Sequence, residues 1–253
     1  MIPRRAILLA AISSLALARD QPTAAATSPP DPNPPATPAK PPVEKLDESR
    51  YRIGDVTLDK QTREIRFPAK VNMSEGLIEY LVVLAKGKVH ESLLVTGISP
   101  THLNLAFTLL RYPPSKELFS LIDENGRPAA KQPKIPAAVK TAARIAIDVE
   151  WDDQGKTRRT PVNEWIQHTV TNTKMKAGPW LFSGADFHNG QFIPEMSGDI
   201  CAIMIDPDTI TNYPGKDNGD NVWHAFLKRV PPVDTPVTVI ISPYSKTPTL
   251  PKP

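Results

Sequence analysis

Cysteine is nearly absent from this chain: its 253 residues contain one, Cys201. That excludes an intramolecular disulfide, and with it any iron–sulfur cluster or zinc site built on cysteine ligands. A surplus of one sign of charge is missing too. Lys and Arg number 30 against 27 Asp and Glu, and losing Arg4 and Arg5 in a leader lowers the net charge from +3 to +1. Such a balance carries no electrostatic footprint for nucleic acid. The local cluster Lys156, Arg158 and Arg159 reads as a solvated turn. Beyond the N-terminal segment, no apolar run reaches the roughly 20 residues a membrane helix needs. The HExxH, GxSxG and glycine-rich phosphate-loop patterns are also absent, and no internal repeat is found.

What is present divides the chain. Residues 1–18 have the form of a secretory signal: Arg4 and Arg5, the apolar stretch Ala6–Ala18, and Ala16-Leu17-Ala18 as a small-x-small cleavage site. Residues 19–45 hold nine prolines between Pro22 and Pro42, mixed with Ala, Thr and Ser, and predict an extended spacer without a core. A folded region is expected over 46–245, followed by a polar, Pro-rich tail over 246–253. These features predict an exported protein, periplasmic or extracellular, with no transmembrane helix once the signal is cleaved.

Within the folded region, Leu77–Ala85 (LIEYLVVLA) predicts a buried central strand, with Val89–Val95 as a second strand after a turn at Gly87. Ser99-Pro100 predicts a helix start, since Ser caps a free N–H and Pro at the first helical position forfeits no needed donor. Leu103, Ala106, Phe107 and Leu110 form one apolar face, which Leu105 and Leu109 widen toward a helix covered on most sides. Pro113-Pro114 is expected to end it. Glu64–Val71 and Ala143–Trp151 alternate in polarity as strands do, with Pro68 placing the first at an edge or bulge. Lys156–Val162 should return from Ala143–Trp151 as a hairpin, a short helix should follow Asn163, and Pro179–Ala185, Asp199–Ile205 and Pro236–Ser242 read as strands. Val222–Leu227 reads as a helical turn. The expected class is α+β: a strand-rich single domain with a buried central helix.

Few residues suggest chemistry. His90 and Glu91 lead, as a general base or metal ligand with an acidic neighbour. Adjacent strand residues point to opposite faces, so the pair converges only if Gly87 or a bulge twists the segment. His102, in the first turn of the helix, is the best partner for them. His90, Asp206 and Asp208 are the metal candidates, with Asn212 adding an oxygen for a hard cation. The Asp-Pro-Asp-Thr run is equally an ordinary turn. Asp199 and Asp206 bracket the strand DICAIMI and are expected at its opposite ends. Lys216–Asn221 (KDNGDN) has calcium-like composition without a full loop pattern, and Asp186 with His188 is a further acid/base candidate. Trp165, Trp180, Phe182 and Trp223 read as core.

The order KVHESLL, PTHLNLAFTLL, PVNEWI, PWLFSGADF, SGDICAIMIDPDTITNYP and VPPVDTPVTVII resembles the YdjY-domain proteins over about Leu77–Ile241. The resemblance implies an exported bacterial protein of a kind common in planctomycetes, and no established activity. Some family members bear a ferredoxin-like name, which the lone Cys201 contradicts here. The family often shows Gly-Ser after the aromatic strand, where this chain has Gly184-Ala185 with Ser183 just before. Taken together, the expectation is a non-catalytic binding module with no cofactor and an unknown envelope protein or ligand as partner. The alternative is a metal-dependent or acid/base hydrolase using His90 and Glu91.

Overall fold

The computed structural model describes residues 43–245. The leader, residues 19–42 of the Pro-rich segment and the tail lie outside the described residues. Eight strands form the body: β1 (Ile65–Val71), β2 (Tyr80–Leu84), β3 (Ser92–Thr96), β4 (Arg144–Asp153), β5 (Trp180–Phe182), β6 (Asp199–Ala202), β7 (Thr211–Asn212) and β8 (Pro236–Pro243). Their order is β1-β8-β4-β5-β7-β6-β2-β3, and β3 pairs back onto β1, which closes a barrel. The protein is therefore mostly β, and the α+β expectation is corrected. Only three short helices accompany the strands among the described residues: α1 (Pro100–Leu109), α2 (Ala137–Ala142) and α3 (Ile193–Ser197).

Alternation builds the interior. Phe67, Val239 and Val149 lie in one row across β1, β8 and β4, and Ile65, Ile241 and Ile147 lie in the next. All six are buried in one core cluster. Each such side chain contributes about 1.5–3 kcal/mol by leaving water. Pro68 sits mid-strand, yet its place suits a residue without an N–H. On one side β1 pairs through Ile65 and Arg66 with the strand Val56–Asp59, then through Lys70 and Val71 with β3. Pro68 falls in the gap between those partners, and its free carbonyl accepts from Thr96 Oγ1 at 2.6 Å. Val56–Asp59 belongs to an outer ribbon with Arg50–Ile53 and Val43–Lys45, so regular pairing starts three residues before Leu46.

α1 begins as its sequence predicts, with Ser99 accepting from the His102 N–H. It is not a central helix. Leu103, Ala106, Phe107 and Leu110 are buried, whereas Leu109 is 39 % exposed, so α1 lies against the barrel by one face. Phe107 stacks on Phe182 of β5 with centroids 4.1 Å apart. The helix stops before the prolines: Tyr112 N–H bonds the Phe107 carbonyl and Arg111 N–H that of Thr108, a Schellman ending with Arg111 at φ 56°. Trp223–Ala225, expected as a helical turn, is a strand paired with Ile166–His168. Val89–Glu91, expected as strand, is a 3-10 turn.

Candidate functional site

Two pairs of neighbouring strands in the barrel are parallel, β2 with β3 and β6 with β7. Their connections, residues 85–91 and 203–210, must run back along the barrel wall, and both are short. Parallel neighbours usually need a dozen or more residues, often a helix, for this return. Here the two segments form a thin outer layer. Tyr80, Val83 and Ala202 make a second small core beneath it, covered by Val89 and Met204.

The Tyr80 hydroxyl is the centre of this layer. It accepts from Lys88 Nζ at 2.5 Å and donates to Asp206 Oδ2 at 2.9 Å. The Lys88 backbone N–H donates to Asp199 Oδ1 at 3.1 Å. Burial, then the Asp206 carboxylate, push the phenol above its ordinary range, so Tyr80 remains neutral. Burial likewise raises Asp199, with Asp206 adding to it, while the Lys88 N–H and ammonium work in the opposite direction. Asp199 and Asp206 were expected at opposite ends of one strand. They instead lie within electrostatic reach of each other and of Tyr80. The reason is that β6 stops at Ala202, with register shifts along its pairing to β2, and the chain then turns back. Gly87 permits the close crossing: a Cβ there would lie 2.8 Å from both Asp199 Oδ1 and the Gly198 carbonyl.

Behind Asp206, a buried knot holds the return loop. Asn212 Nδ2 donates to Ser183 Oγ at 2.9 Å, to Thr209 Oγ1 at 3.0 Å and to the Asp206 carbonyl at 3.0 Å. Its Oδ1 accepts from the Asp206 N–H at 2.8 Å. Ser183 Oγ in turn donates to the Ile210 carbonyl at 3.1 Å. Asp206 Oδ1 accepts from the Asp208 N–H at 2.9 Å, the side-chain-to-backbone bond of an Asx turn. Ser183, Thr209 and Asn212 are wholly buried, so this serine is a structural group with no histidine partner.

The sequence candidates are dispersed. His90 has a side chain 77 % exposed, and its Nε2 lies 3.7 Å from Glu91 Oε2. The 3-10 turn, and not a bulge, brings that pair to one side. His102 packs over Gly54, whose added Cβ would lie 2.5 Å from Nδ1. No bond joins His102 to His90 or Glu91 among the described residues. Asp206 and Asp208 share the Asx turn. No group of three or more His, Cys, Asp or Glu side chains among the described residues could hold a metal ion. Asp186 lies 3.4 Å from Lys116, whereas His188 Nε2 is 3.2 Å from Asn189 Nδ2. In the KDNGDN loop, Asp217 offers its carbonyl to Trp223 Nε1 and Asn218 donates to the Gly215 carbonyl. Trp165, Trp180, Phe182 and Trp223 are core, as expected.

Tyr80 and Lys88 are the residues that sequence reasoning missed. The available signal was a hydroxyl-bearing side chain inside the apolar run LIEYLVVLA. Chemically, the Lys88–Tyr80–Asp206 chain is a clamp: each member is committed to the next, and together they pin both return segments to the barrel.

The family model for the YdjY domain matches residues 56–242, most of the chain. No curated protein and no solved structure matches it.

Proposed function

This chain belongs to the YdjY-domain family, and from that premise we propose that it is an exported, non-catalytic binding module of the cell envelope. The observation that carries the reading is that the polar groups around Tyr80 are committed to one another, while His90 stands exposed, 3.7 Å from Glu91 and within electrostatic reach of Glu79. An acid/base or metal-assisted hydrolase needs several such groups aimed at one reacting atom. A closed barrel with a filled interior suits a rigid support whose ligand binds on the outside. Export is supported by the residue pattern of the leader, and the proline-rich stretch suits a spacer between the barrel and whatever anchors it.

The test is metal analysis of the purified full chain beside His90→Ala and Asp206→Asn, together with fractionation of the producing cells. The expected results are no stoichiometric metal, a His90→Ala melting temperature equal to wild type, and the protein outside the cytoplasm. Stoichiometric metal lost in either variant would overturn the non-catalytic reading. Retention in the cytoplasm would overturn the envelope assignment.

A further inference from the structure

A cleft of about 520 Å³ lies at the C-terminal end of α1, lined by Lys60, Arg63, Leu109, Leu110 and Arg111. Three of its five lining residues are cations. Among the described residues, no carboxylate lies within ion-pair distance of any of the three. Other cations do meet carboxylates, as in the Arg66 and Arg159 ladder with Glu64, Glu150 and Asp148. Lys60 also borders an adjoining hollow with Asp47 and Glu48. Asp47 there is held by Arg50.

The backbone at this cleft is strained in a telling place. Six non-glycine residues have left-handed φ among the described residues; four are Gln154, Asn172, Asn189 and Asp234, and three of those are Asn or Asp, which tolerate the region. The other two are Arg63 (φ 59°) and Arg111 (φ 56°), and both line this cleft. Arg111 occupies the Schellman position that glycine favours. The Arg63 side chain has an evident structural use. It donates from Nε to the Leu110 carbonyl at 3.1 Å and from Nη2 to the Arg111 carbonyl at 3.3 Å, and lies 4.2 Å above the Tyr112 ring. Those contacts neutralise the helix end and fix the guanidinium. They do not involve the Arg111 side chain, and Lys60, whose Nζ lies 4.0 Å over the Tyr51 ring, brings a third cation to the same wall.

We propose that this cleft binds a small ligand bearing a phosphate or carboxylate group on an apolar body. Lys60 and Arg111 contact the anion, Arg63 is the positioning residue, and half-exposed Leu109 meets the apolar part. Guanidinium and ammonium donors suit such oxyanions, and an arginine fork can hold one through two bonds. The proposal rests on the binding-module reading and names a site for it.

The experiment titrates the full chain with inorganic phosphate and with hexyl phosphate at constant ionic strength, by calorimetry and thermal melting. Both probes should bind, hexyl phosphate more tightly, and Leu109→Ser should remove that difference. Tighter binding of inorganic phosphate would overturn the apolar-body part. Arg111→Gly should weaken binding about 10-fold or more through loss of a charge-assisted contact. The same substitution should raise the ligand-free melting temperature by about 2–4 °C, because it relieves the left-handed strain. Lys60→Gln, which leaves the Arg63 bonds to the helix ending in place, should weaken binding and change the ligand-free melt little, since it removes only the contact with the Tyr51 ring. Binding unaltered in both Arg111→Gly and Lys60→Gln, or no binding of either probe by wild type, would overturn the site. Metal lost with His90 would instead overturn the parent reading.

Discussion

Glu195 supplies what α1 lacks in its own first turn. Its Oε2 accepts from Ser99 Oγ at 2.8 Å, Thr101 N–H at 3.1 Å and Thr101 Oγ1 at 2.9 Å. Burial pushes this carboxyl up, but those bonds outweigh it and hold it below its ordinary value. Its stabilisation is therefore fully present above the unfolded carboxyl range and is lost as pH falls through the lowered folded value. Glu195→Ala should cost about 1–2 kcal/mol in urea melts at pH 7, and less below pH 4. Asp199 has the opposite sign. Its folded value is raised, so stability falls as pH rises through that value. Asp199→Asn keeps an acceptor for the Lys88 N–H and should stabilise the protein at pH 7, with the gain shrinking toward pH 4. Cys201 is buried and its thiol is pushed up to about 12 by desolvation. Iodoacetamide at pH 8 should leave it unmodified in the native chain and label it stoichiometrically in urea.

Elements differ in how far their own residues specify them. β4 and its return strand Lys156–Pro161 are local: Ile145, Ile147 and Val149 alternate inward, and Gln154-Gly155 closes the turn with both residues at positive φ. They were legible for that reason, as was the Ser99-Pro100 helix start. The inward face of α1 was legible too, but its environment was not. Whether Leu109 is covered depends on what packs beside the helix, and 3.6-residue spacing is silent on that. Leu103→Ala should cost about 2–5 kcal/mol, whereas Leu109→Ala should stay within about 0.5 kcal/mol, both read by denaturant unfolding. Trp223–Ala225 was misread because its strand character comes from Ile166–His168, far away in the chain. The Tyr80–Asp206 bond spans 126 residues, and nothing local in either segment announces it. His90 stood out by residue type, but type alone does not reveal a side chain facing water.

At the scale of the molecule, closure is the governing fact. Each of the eight barrel strands has a partner on both sides, while the outer ribbon of Val43–Lys45 and Arg50–Ile53 and the strand Lys156–Pro161 extend beyond it. Native-state hydrogen exchange should therefore separate two classes. Amides of β1, β4 and β8 should open only with global unfolding, and those of Val43–Lys45 and Lys156–Pro161 should exchange through smaller openings. Class fusion, with equal protection in both, would contradict a barrel-centred core. No helix among the described residues is long and apolar enough to cross a membrane. The position of β8 has a consequence in time. It pairs with β1 through Ile65↔Ile241 and with β4 through Ile147↔Ile241, and it is the final strand of the described chain. During synthesis on a ribosome, residues 65–71 and 144–153 emerge first and wait as open edges, a template for other chains. The ring cannot be completed until residues 236–243 arrive, so its folding is slow by topology and its most vulnerable interval falls just before the last strand docks.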